Sequence, residues 1–214
     1  MMKSVGKMTE HREIGYDLAA ELVTQNSSVL DLGCGDGALL ELLCEKKGIK
    51  GYGVEISEEG LSLCLEKGLY CYQADIDEGL VDYRDNSFDF VILNQTLQST
   101  KRPGFIIKEI LRIGRKAIIS FPNFAYHPIR HQLSWRGSMP KSPSIPYEWY
   151  DTPNIHMVTI KDFETYCQDN GYAIEKRLHF CLGKDGKSSR VGFAPNYFAE
   201  YGLFVLSGNS ASQD

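Results

Sequence analysis

The sequence lacks several features that would assign it to a large class of proteins. Its six cysteines include no C-x-x-C pair, so neither a zinc ribbon nor a disulfide framework is indicated. No apolar run reaches the length of a membrane span, and residues 1–6 contain no apolar signal region. The net charge of −5 argues against a non-specific nucleic-acid binder, which would carry a basic surface. We therefore expect a cytoplasmic protein with no metal and no nucleic-acid or membrane partner.

Three closely spaced glycines are the most informative feature that is present. An apolar run at residues 29–32 leads into Gly33, Gly35 and Gly37, and a helix-forming segment starts at Ala38. A buried strand, a glycine turn and a helix begin a βαβ unit, and open α/β sheets bind ligands at such a turn. Glycine allows a positive φ and removes the Cβ atoms that would keep a ligand away from the backbone.

The spacing of this turn favours one ligand over another. A dinucleotide site has G-x-G-x-x-G, whereas here the third glycine comes one residue early. Asp31 would repel a pyrophosphate but suits the cationic amino-acid end of S-adenosylmethionine. The motif resembles the first motif of class I S-adenosylmethionine-dependent methyltransferases, so a nicotinamide oxidoreductase is disfavoured. Cys34, inside the turn, is either a nucleophile or a small residue that fits a crowded turn, and the second interpretation is favoured.

Acidic residues follow the next two predicted strands. Glu55 lies 22 positions after Gly33, close to the spacing at which a carboxylate binds ribose hydroxyls, and Ile56 adjoins it. The alternative for Glu55 is a solvated strand end. The methyltransferase resemblance implies that Asp75 contacts the adenine amino group and that Ile76 offers its backbone N–H to the ring. Asp75 would also serve as the cap of the turn that follows it.

The fourth predicted strand ends at Asn94 and Gln95. Amino- and amide-methylating members of the superfamily carry Asn/Asp-Pro-Pro-Tyr there, and this motif is absent. Asn94 and Gln95 are expected to touch the methionine end of the cofactor. Neither is a general base, because an amide has no useful pKa near neutrality.

Residues 124–156 differ from the rest of the chain. They hold five of the eight prolines, both tryptophans and three of the five histidines, and they show no persistent helical or strand period. A loop of this length is normally functional or disordered, and its aromatic residues argue against disorder. We expect a cap over the cofactor pocket. His127 and His131 are four residues apart, but the proline between them and the lack of a nearby Glu or Cys disfavour a metal.

Some cap residues are candidates for a partner or a substrate. The histidines are where a general base would be sought, and Trp149 and Tyr150 would equally anchor a protein partner. The candidates are Tyr126, His127, His131, Trp149, Tyr150 and His156.

The end of the cap carries the narrowest signature, W-Y-D-T-P-N-I-H at residues 149–156. Together with the D-L-G-C-G-D-G turn, it resembles the MetW family of bacterial methionine-biosynthesis proteins, over residues 29–206. The resemblance implies a class I methyltransferase fold and an association with homoserine O-acyltransferase (MetX). It implies no defined reaction.

The predicted fold is a doubly wound α/β sheet in a single domain spanning residues 1–214. The resemblance implies seven mostly parallel strands in the order 3-2-1-4-5-7-6, with strand 7 antiparallel and the insert after strand 5. An N-terminal helix is predicted over residues 9–23, and a loop over residues 183–195.

Two functions remain open at this point. The protein either regulates the acyltransferase by binding S-adenosylmethionine or transfers a methyl group from it to an unidentified small molecule. The aromatic-rich cap and the missing base favour the first. The sequence does not identify a methyl acceptor.

Overall fold

One eight-stranded sheet organises the molecule. The computed structural model describes residues 15–182 and 188–208 of the chain. The sheet order is β3-β2-β1-β4-β5-β8-β6-β7. The strands are β1 (Ser28–Leu32), β2 (Lys50–Glu55), β3 (Tyr70–Gln73), β4 (Phe88–Asn94), β5 (Gly114–Pro122), β6 (Ala173–Leu182), β7 (Ser188–Arg190) and β8 (Tyr201–Ser207). The first five are parallel, whereas β8 runs antiparallel to β5 and to β6. The predicted doubly wound, mostly parallel sheet is confirmed, and the predicted reversed strand corresponds to β8.

Seven α-helices accompany the strands in the described part of the chain. Helix α1 is described over residues 15–22, and its predicted residues 9–14 lie outside the described part. The others are α2 (Ala38–Lys47), α3 (Glu58–Glu66), α4 (Pro103–Ile113), α5 (His127–Arg136), α6 (Ile160–Asp169) and α7 (Pro195–Phe198). None of the described helices combines the length and the apolar character needed to cross a membrane.

The two faces of the sheet bury separate hydrophobic cores. Alternate strand residues such as Leu30 and Leu93 pack with apolar side chains of α4 and α6. Their chain neighbours Val29 and Ile92 pack with residues of α1, α2 and α3 on the other face. Because successive side chains of a strand point to opposite faces, β1 and β4 carry apolar residues at both alternating sets of positions. This arrangement leaves the carboxyl ends of the parallel strands as the edge where a ligand site forms.

The prediction of seven strands was wrong by one. Residues 188–190, predicted as loop, form β7 and pair antiparallel with the end of β6, with Phe180 opposite Arg190. The predicted loop residues 183–187 lie outside the described residues. A three-residue edge strand has too few side chains to show an alternating pattern, so its pairing was not predictable from the sequence.

The prediction that residues 124–156 contain no helix was also wrong. Helix α5 begins at His127 with Pro128 in its first turn, a position that proline tolerates. It ends at Gly137, whose φ of +61° and N–H bond to the Leu133 carbonyl form a left-handed cap. Ile129 is the only α5 residue that is buried. A helix with so small an apolar face leaves no hydrophobic period to detect.

Candidate functional site

The glycine turn after β1 combines left-handed backbone conformations with one close contact that a side chain would block. Gly33, Gly35 and Gly37 have φ values of +74°, +59° and +75°. A Cβ at Gly33 would lie 2.7 Å from the Cγ2 atom of Thr96, so the turn packs closely against the segment after β4. The N–H of Gly33 donates to the Val54 carbonyl at 2.8 Å and thereby joins the turn to the end of β2.

Two side chains predicted for the cofactor site, those of Asp31 and Cys34, are buried. The side chain of Asp31 is buried in β1. Cys34 is also buried, and this burial, with the nearby Asp31 carboxylate, raises the pKa of its thiol. A thiol whose pKa is raised is protonated at neutral pH and is a poor nucleophile. The interpretation of Cys34 as a small residue in a crowded turn therefore agrees with its surroundings better than the nucleophile does.

Glu55 binds the turn through backbone hydrogen bonds. Its Oε2 accepts from the N–H of Gly35 at 2.7 Å, and its Oε1 accepts from the N–H groups of Ile56 and Ser57 at 3.0 and 2.9 Å. The side chain is 8% exposed. A carboxylate has about four acceptor directions, so about one remains for a ligand. Glu55 is thus not a solvated strand end, because it holds the turn in place.

Two adjoining cavities open at the carboxyl ends of the parallel strands. The larger has a volume of about 260 Å³ and the smaller about 140 Å³. Their shared walls are Gly33, Ile56, Thr96 and Ser99. Glu55 and Gln95 line the larger cavity, whereas Asp75 and Ile76 line the smaller one.

The remaining predicted cofactor residues lie outside the cavity linings. Asp31, Cys34, Gly35, Gly37 and Asn94 are not among the residues that line either cavity. Gly37 caps α2, and the Oδ1 of Asn94 accepts a hydrogen bond from the Ser120 hydroxyl.

Asp75 has the capping role that was weighed for it. Its Oδ1 accepts from the N–H of Asp77 at 2.9 Å, and its Oδ2 lies 3.7 Å from the Nζ of Lys101. It still lines the smaller cavity, so both roles that the sequence suggested are compatible with its position.

The end of β4 is conformationally unusual. Gln95 has a φ of +53°, which is uncommon for a residue with a side chain, and such backbone strain clusters at functional sites. Its N–H donates to the Ser120 carbonyl at 2.9 Å. Its carbonyl accepts from the Nε2 of Gln98 at 2.6 Å. Gln98 is buried and lines the larger cavity.

Part of the segment predicted as a cap lines the larger cavity. The lining cap residues are Pro143, Ser144, Pro146, Tyr147, Pro153 and Asn154. Two hydrogen bonds hold this part of the chain against the segment after β4, because the N–H groups of Ile155 and His156 donate to the Gln98 carbonyl at 2.8 and 3.0 Å. A third hydrogen bond connects the cap to the residue before β8, because the N–H of Ser144 donates to the carboxylate of Glu200 at 3.2 Å.

The six cap residues singled out from the sequence do not line the two cavities within the described part of the chain. His127 stacks on Tyr197 with ring centroids 5.5 Å apart, and the Nε2 of His131 lies 2.9 Å from the Tyr197 hydroxyl. Burial and the neighbouring His131 lower the pKa of His127. Burial also raises the pKa of Tyr126 to about 12.

The other two groups of the cap differ in exposure. His156 is partly buried and contributes the backbone N–H described above. Trp149 and Tyr150 are 70% and 71% exposed and form an edge-to-face pair with centroids 5.5 Å apart. Both side chains face solvent, and neither lines one of the two cavities.

Several lining residues had no sequence signal. Thr96, Gln98 and Ser99 follow β4 without a recognised motif, and Tyr201 begins β8 at the far side of the larger cavity. Burial raises the pKa of Tyr201 well above its usual range, so its phenol is protonated at neutral pH. The lining of the larger cavity therefore offers hydroxyls, amides and one largely engaged carboxylate, and the smaller cavity adds the carboxylates of Asp75 and Asp77. This set can bind a polar ligand, and among the described residues it includes no histidine.

Solved structures share this architecture. A putative methyltransferase from Haloferax volcanii, in complex with the Trm112 methyltransferase activator, superposes with a TM-score of 0.68 over 96% of this chain and 92% of that one, at 18% identity. A methyltransferase of Thermotoga maritima, described as a possible histamine N-methyltransferase, superposes with a TM-score of 0.66 over 92% and 90%, at 16% identity. These likenesses show the methyltransferase fold.

Sequence relatives are more specific. The bifunctional methionine biosynthesis protein MetXA/MetW of Rhodopirellula baltica is 40% identical over 151 residues, which are 66% of this chain and 24% of the relative. A ubiquinone biosynthesis O-methyltransferase of Idiomarina loihiensis is 35% identical over 115 residues, 50% of this chain and 44% of that protein. The chain thus matches less than half the length of either relative. The profile of the family described as methionine biosynthesis protein MetW matches residues 13–206, and the chain belongs to that family.

Proposed function

We propose that this protein binds S-adenosylmethionine in the two adjoining cavities and acts with homoserine O-acyltransferase in methionine biosynthesis. One observation carries the cofactor assignment: residues predicted at the ends of β1, β2, β3 and β4 line the same pair of cavities. We assign the adenine to the smaller cavity beside Asp75 and Ile76, and the ribose to the remaining acceptor direction of Glu55. The methionine end then points toward Gln95.

We further propose that residues 1–214 are a single domain with residues 124–156 as its cap. The cap is part of the same sheet-based unit through its contacts with Gln98 and Glu200. Asn123, which is 1% exposed, supports the start of the cap: its Nδ2 donates to the Ala199 carbonyl at 2.8 Å, and its Oδ1 accepts from the N–H of Ala125 at 3.0 Å.

The role with the acyltransferase is supported by the family and by the cap surface. A relative carries MetXA and MetW in one bifunctional protein. Trp149 and Tyr150 form an exposed aromatic pair within the narrow signature, and interface energy concentrates in such residues. We assign the acyltransferase contact to this pair.

Gln98 is the group that would link the two sites. Its side chain donates to the strained Gln95 at the cavity, and its backbone carbonyl accepts from Ile155 and His156 of the cap. A ligand that shifts Gln95 would therefore move the cap segment that carries Trp149 and Tyr150. Such coupling is reciprocal, so the acyltransferase should in turn change the affinity for S-adenosylmethionine.

Methyl transfer is the second candidate, and the O-methyltransferase relative favours it. Positioning an acceptor in line with the sulfonium can supply much of the rate without a base. The cap residues in the wall of the larger cavity argue against methyl transfer, because they take up space where an acceptor would approach.

Ligand-dependent stability tests the cofactor assignment. At about 100 times Kd, S-adenosylmethionine should stabilise the protein by about 2.7 kcal/mol, which raises the Tm of a domain of this size by about 5 to 10 °C. NADH at the same concentration should leave the Tm unchanged. A shift with NADH and none with S-adenosylmethionine would overturn the cofactor assignment.

Mixing the protein with purified acyltransferase separates the two functions. The regulatory function predicts direct binding in calorimetry, with an affinity that depends on S-adenosylmethionine, and a change in acyl transfer. Methyl transfer predicts consumption of S-adenosylmethionine with a suitable acceptor and no binding to the acyltransferase.

A further inference from the structure

A cluster of three thiols lies behind the glycine turn, outside the proposed cofactor site. Cys34 comes from the turn, Cys64 from α3 and Cys71 from β3. The Sγ of Cys34 is 3.8 Å from that of Cys64 and 3.9 Å from that of Cys71, and all three sulfurs lie within 4.8 Å of one another. Cys34 and Cys64 are buried, whereas Cys71 is partly exposed. The three thiols therefore converge on one point, and Cys71 is the most exposed of the three residues.

Two glycines make room for this convergence. A Cβ at Gly53 would lie 2.7 Å from the Sγ of Cys34 and closer still to the Sγ of Cys71. A Cβ at Gly37 would lie 2.9 Å from the Sγ of Cys64. Any larger residue at Gly53 would force sulfur atoms apart, so the arrangement depends on the backbone around it as well as on the thiols.

We propose that Cys34, Cys64 and Cys71 together bind one thiophilic divalent cation of the zinc class. Zinc binds thiolates at about 2.3 Å in a tetrahedron, and the edges of such a tetrahedron are about 3.8 Å long. The two separations from Cys34 match these edges, and the third, between Cys64 and Cys71, is no more than 4.8 Å. Solvent on the Cys71 side supplies the fourth ligand. The spacing in the sequence does not reveal the site, because its ligands come from three separate elements.

A disulfide fits this geometry less well. Bond formation would require two sulfurs to approach from 3.8 Å to about 2.05 Å. That movement would pull Cys34, and the turn that contains it, toward α3. A metal ion spans the gap with two bonds and leaves the turn where it is.

The charge balance of the cluster favours a divalent ion, and the release of thiol protons makes binding depend on pH. Each S–H bond that breaks releases a proton as a metal–sulfur bond forms, so one divalent ion displaces up to three protons and leaves the cluster with a charge of −1. A monovalent ion would leave −2 beside the buried Asp31, whose carboxylate already disfavours the Cys34 thiolate. The positive charge of Lys67, in contrast, favours the thiolate form of Cys64. Because each thiol must lose its proton to bind the ion, the affinity should increase with pH.

Titration of the fully reduced protein with Zn²⁺ and Co²⁺ tests the site. We expect one ion per chain, a thiolate-to-cobalt charge-transfer absorption, and release of at least two protons per ion in weakly buffered solution. Zn²⁺ should also protect Cys71 from alkylation, as measured by mass spectrometry. Cys44 and Cys181, which are likewise partly exposed, should stay reactive.

Cys71→Ser should weaken Zn²⁺ binding about tenfold or more, because a hydroxyl is a poor ligand for a thiophilic ion. Cys44→Ser is the matched control and should bind like the wild type. If the Cys71 variant does not fold, the proton release and alkylation of the wild-type protein still decide the question. Ordinary packing of three thiols predicts no stoichiometric binding, and that result would overturn the proposal. So would one-to-one binding without proton release or without protection of Cys71.

Discussion

Replacing Glu55 by glutamine tests the central contact of the site. The carboxylate accepts three backbone N–H bonds, one from Gly35 at the turn and two from Ile56 and Ser57 at the start of α3. A glutamine has the same size but only one acceptor oxygen. If that oxygen keeps the two bonds near α3, the NH₂ group faces the N–H of Gly35, and the bond to the turn is lost.

The loss of one hydrogen bond sets the expected change in the free energy of unfolding. A hydrogen bond to a charged group contributes about 1.5–3 kcal/mol, so Glu55→Gln should lower the free energy of unfolding by about that amount. For a domain of this size the Tm should fall by about 3 to 12 °C. The affinity for S-adenosylmethionine should fall about tenfold or more, because one charge-assisted bond to the ligand is also removed.

Urea unfolding and calorimetric titration measure the two effects separately. Glu58→Gln is the matched control, since Glu58 is exposed in the first turn of α3 and its loss should cost below about 1 kcal/mol. A Glu55→Gln protein with wild-type stability would show that the three hydrogen bonds do not hold the turn. A destabilised variant with unchanged cofactor affinity would exclude Glu55 from ribose binding.

Three further predictions concern the turn, the cap and pH. Gly35→Val should abolish S-adenosylmethionine binding, because a β-branched residue does not adopt the φ of +59° found there; full affinity in a folded variant would mean that the turn is merely structural. Trp149→Ala should weaken acyltransferase binding about 30-fold while leaving cofactor affinity unchanged, and Trp135→Ala, at a still more exposed tryptophan, is its control in surface plasmon resonance. Glu109→Gln should cost about 1–2 kcal/mol at pH 7, because hydrogen bonds from Arg112 lower the pKa of this carboxyl. The folded-state pKa is the lower one, so this contribution is present above the usual pKa of glutamate and is lost as the pH falls through the folded value. Urea titrations at pH 7 and pH 3 should show the difference between variant and wild type shrinking.

Much of the fold follows from local patterns. The apolar runs of β1 and β4 indicate strands buried on both faces, and the structure buries them so. Helix starts also follow the general preference for Ser and Thr as N-caps, since Ser57 and Thr159 accept hydrogen bonds from the N–H groups of Gly60 and Asp162.

The candidate site was predictable only in part. Acids and amides at successive strand ends were identified because parallel strands bring their carboxyl ends to one edge of the sheet. The contribution of Thr96 and Tyr201 was not predictable, because it arises from packing between segments far apart in the chain. The histidines of the cap were expected near the cavity, and Tyr197 instead holds two of them against α7.

The sequence by itself determined the glycine turn, the alternation of strands and helices and the family, since each rests on residues that are neighbours in the chain. Tertiary structure alone decided how the cap lies over the larger cavity and which acceptors of Glu55 are already used. It also decided that α5 and β7 form, because neither has an apolar period of its own. Both take their stability from surfaces that exist only when the sheet has folded, so no local pattern could have specified them.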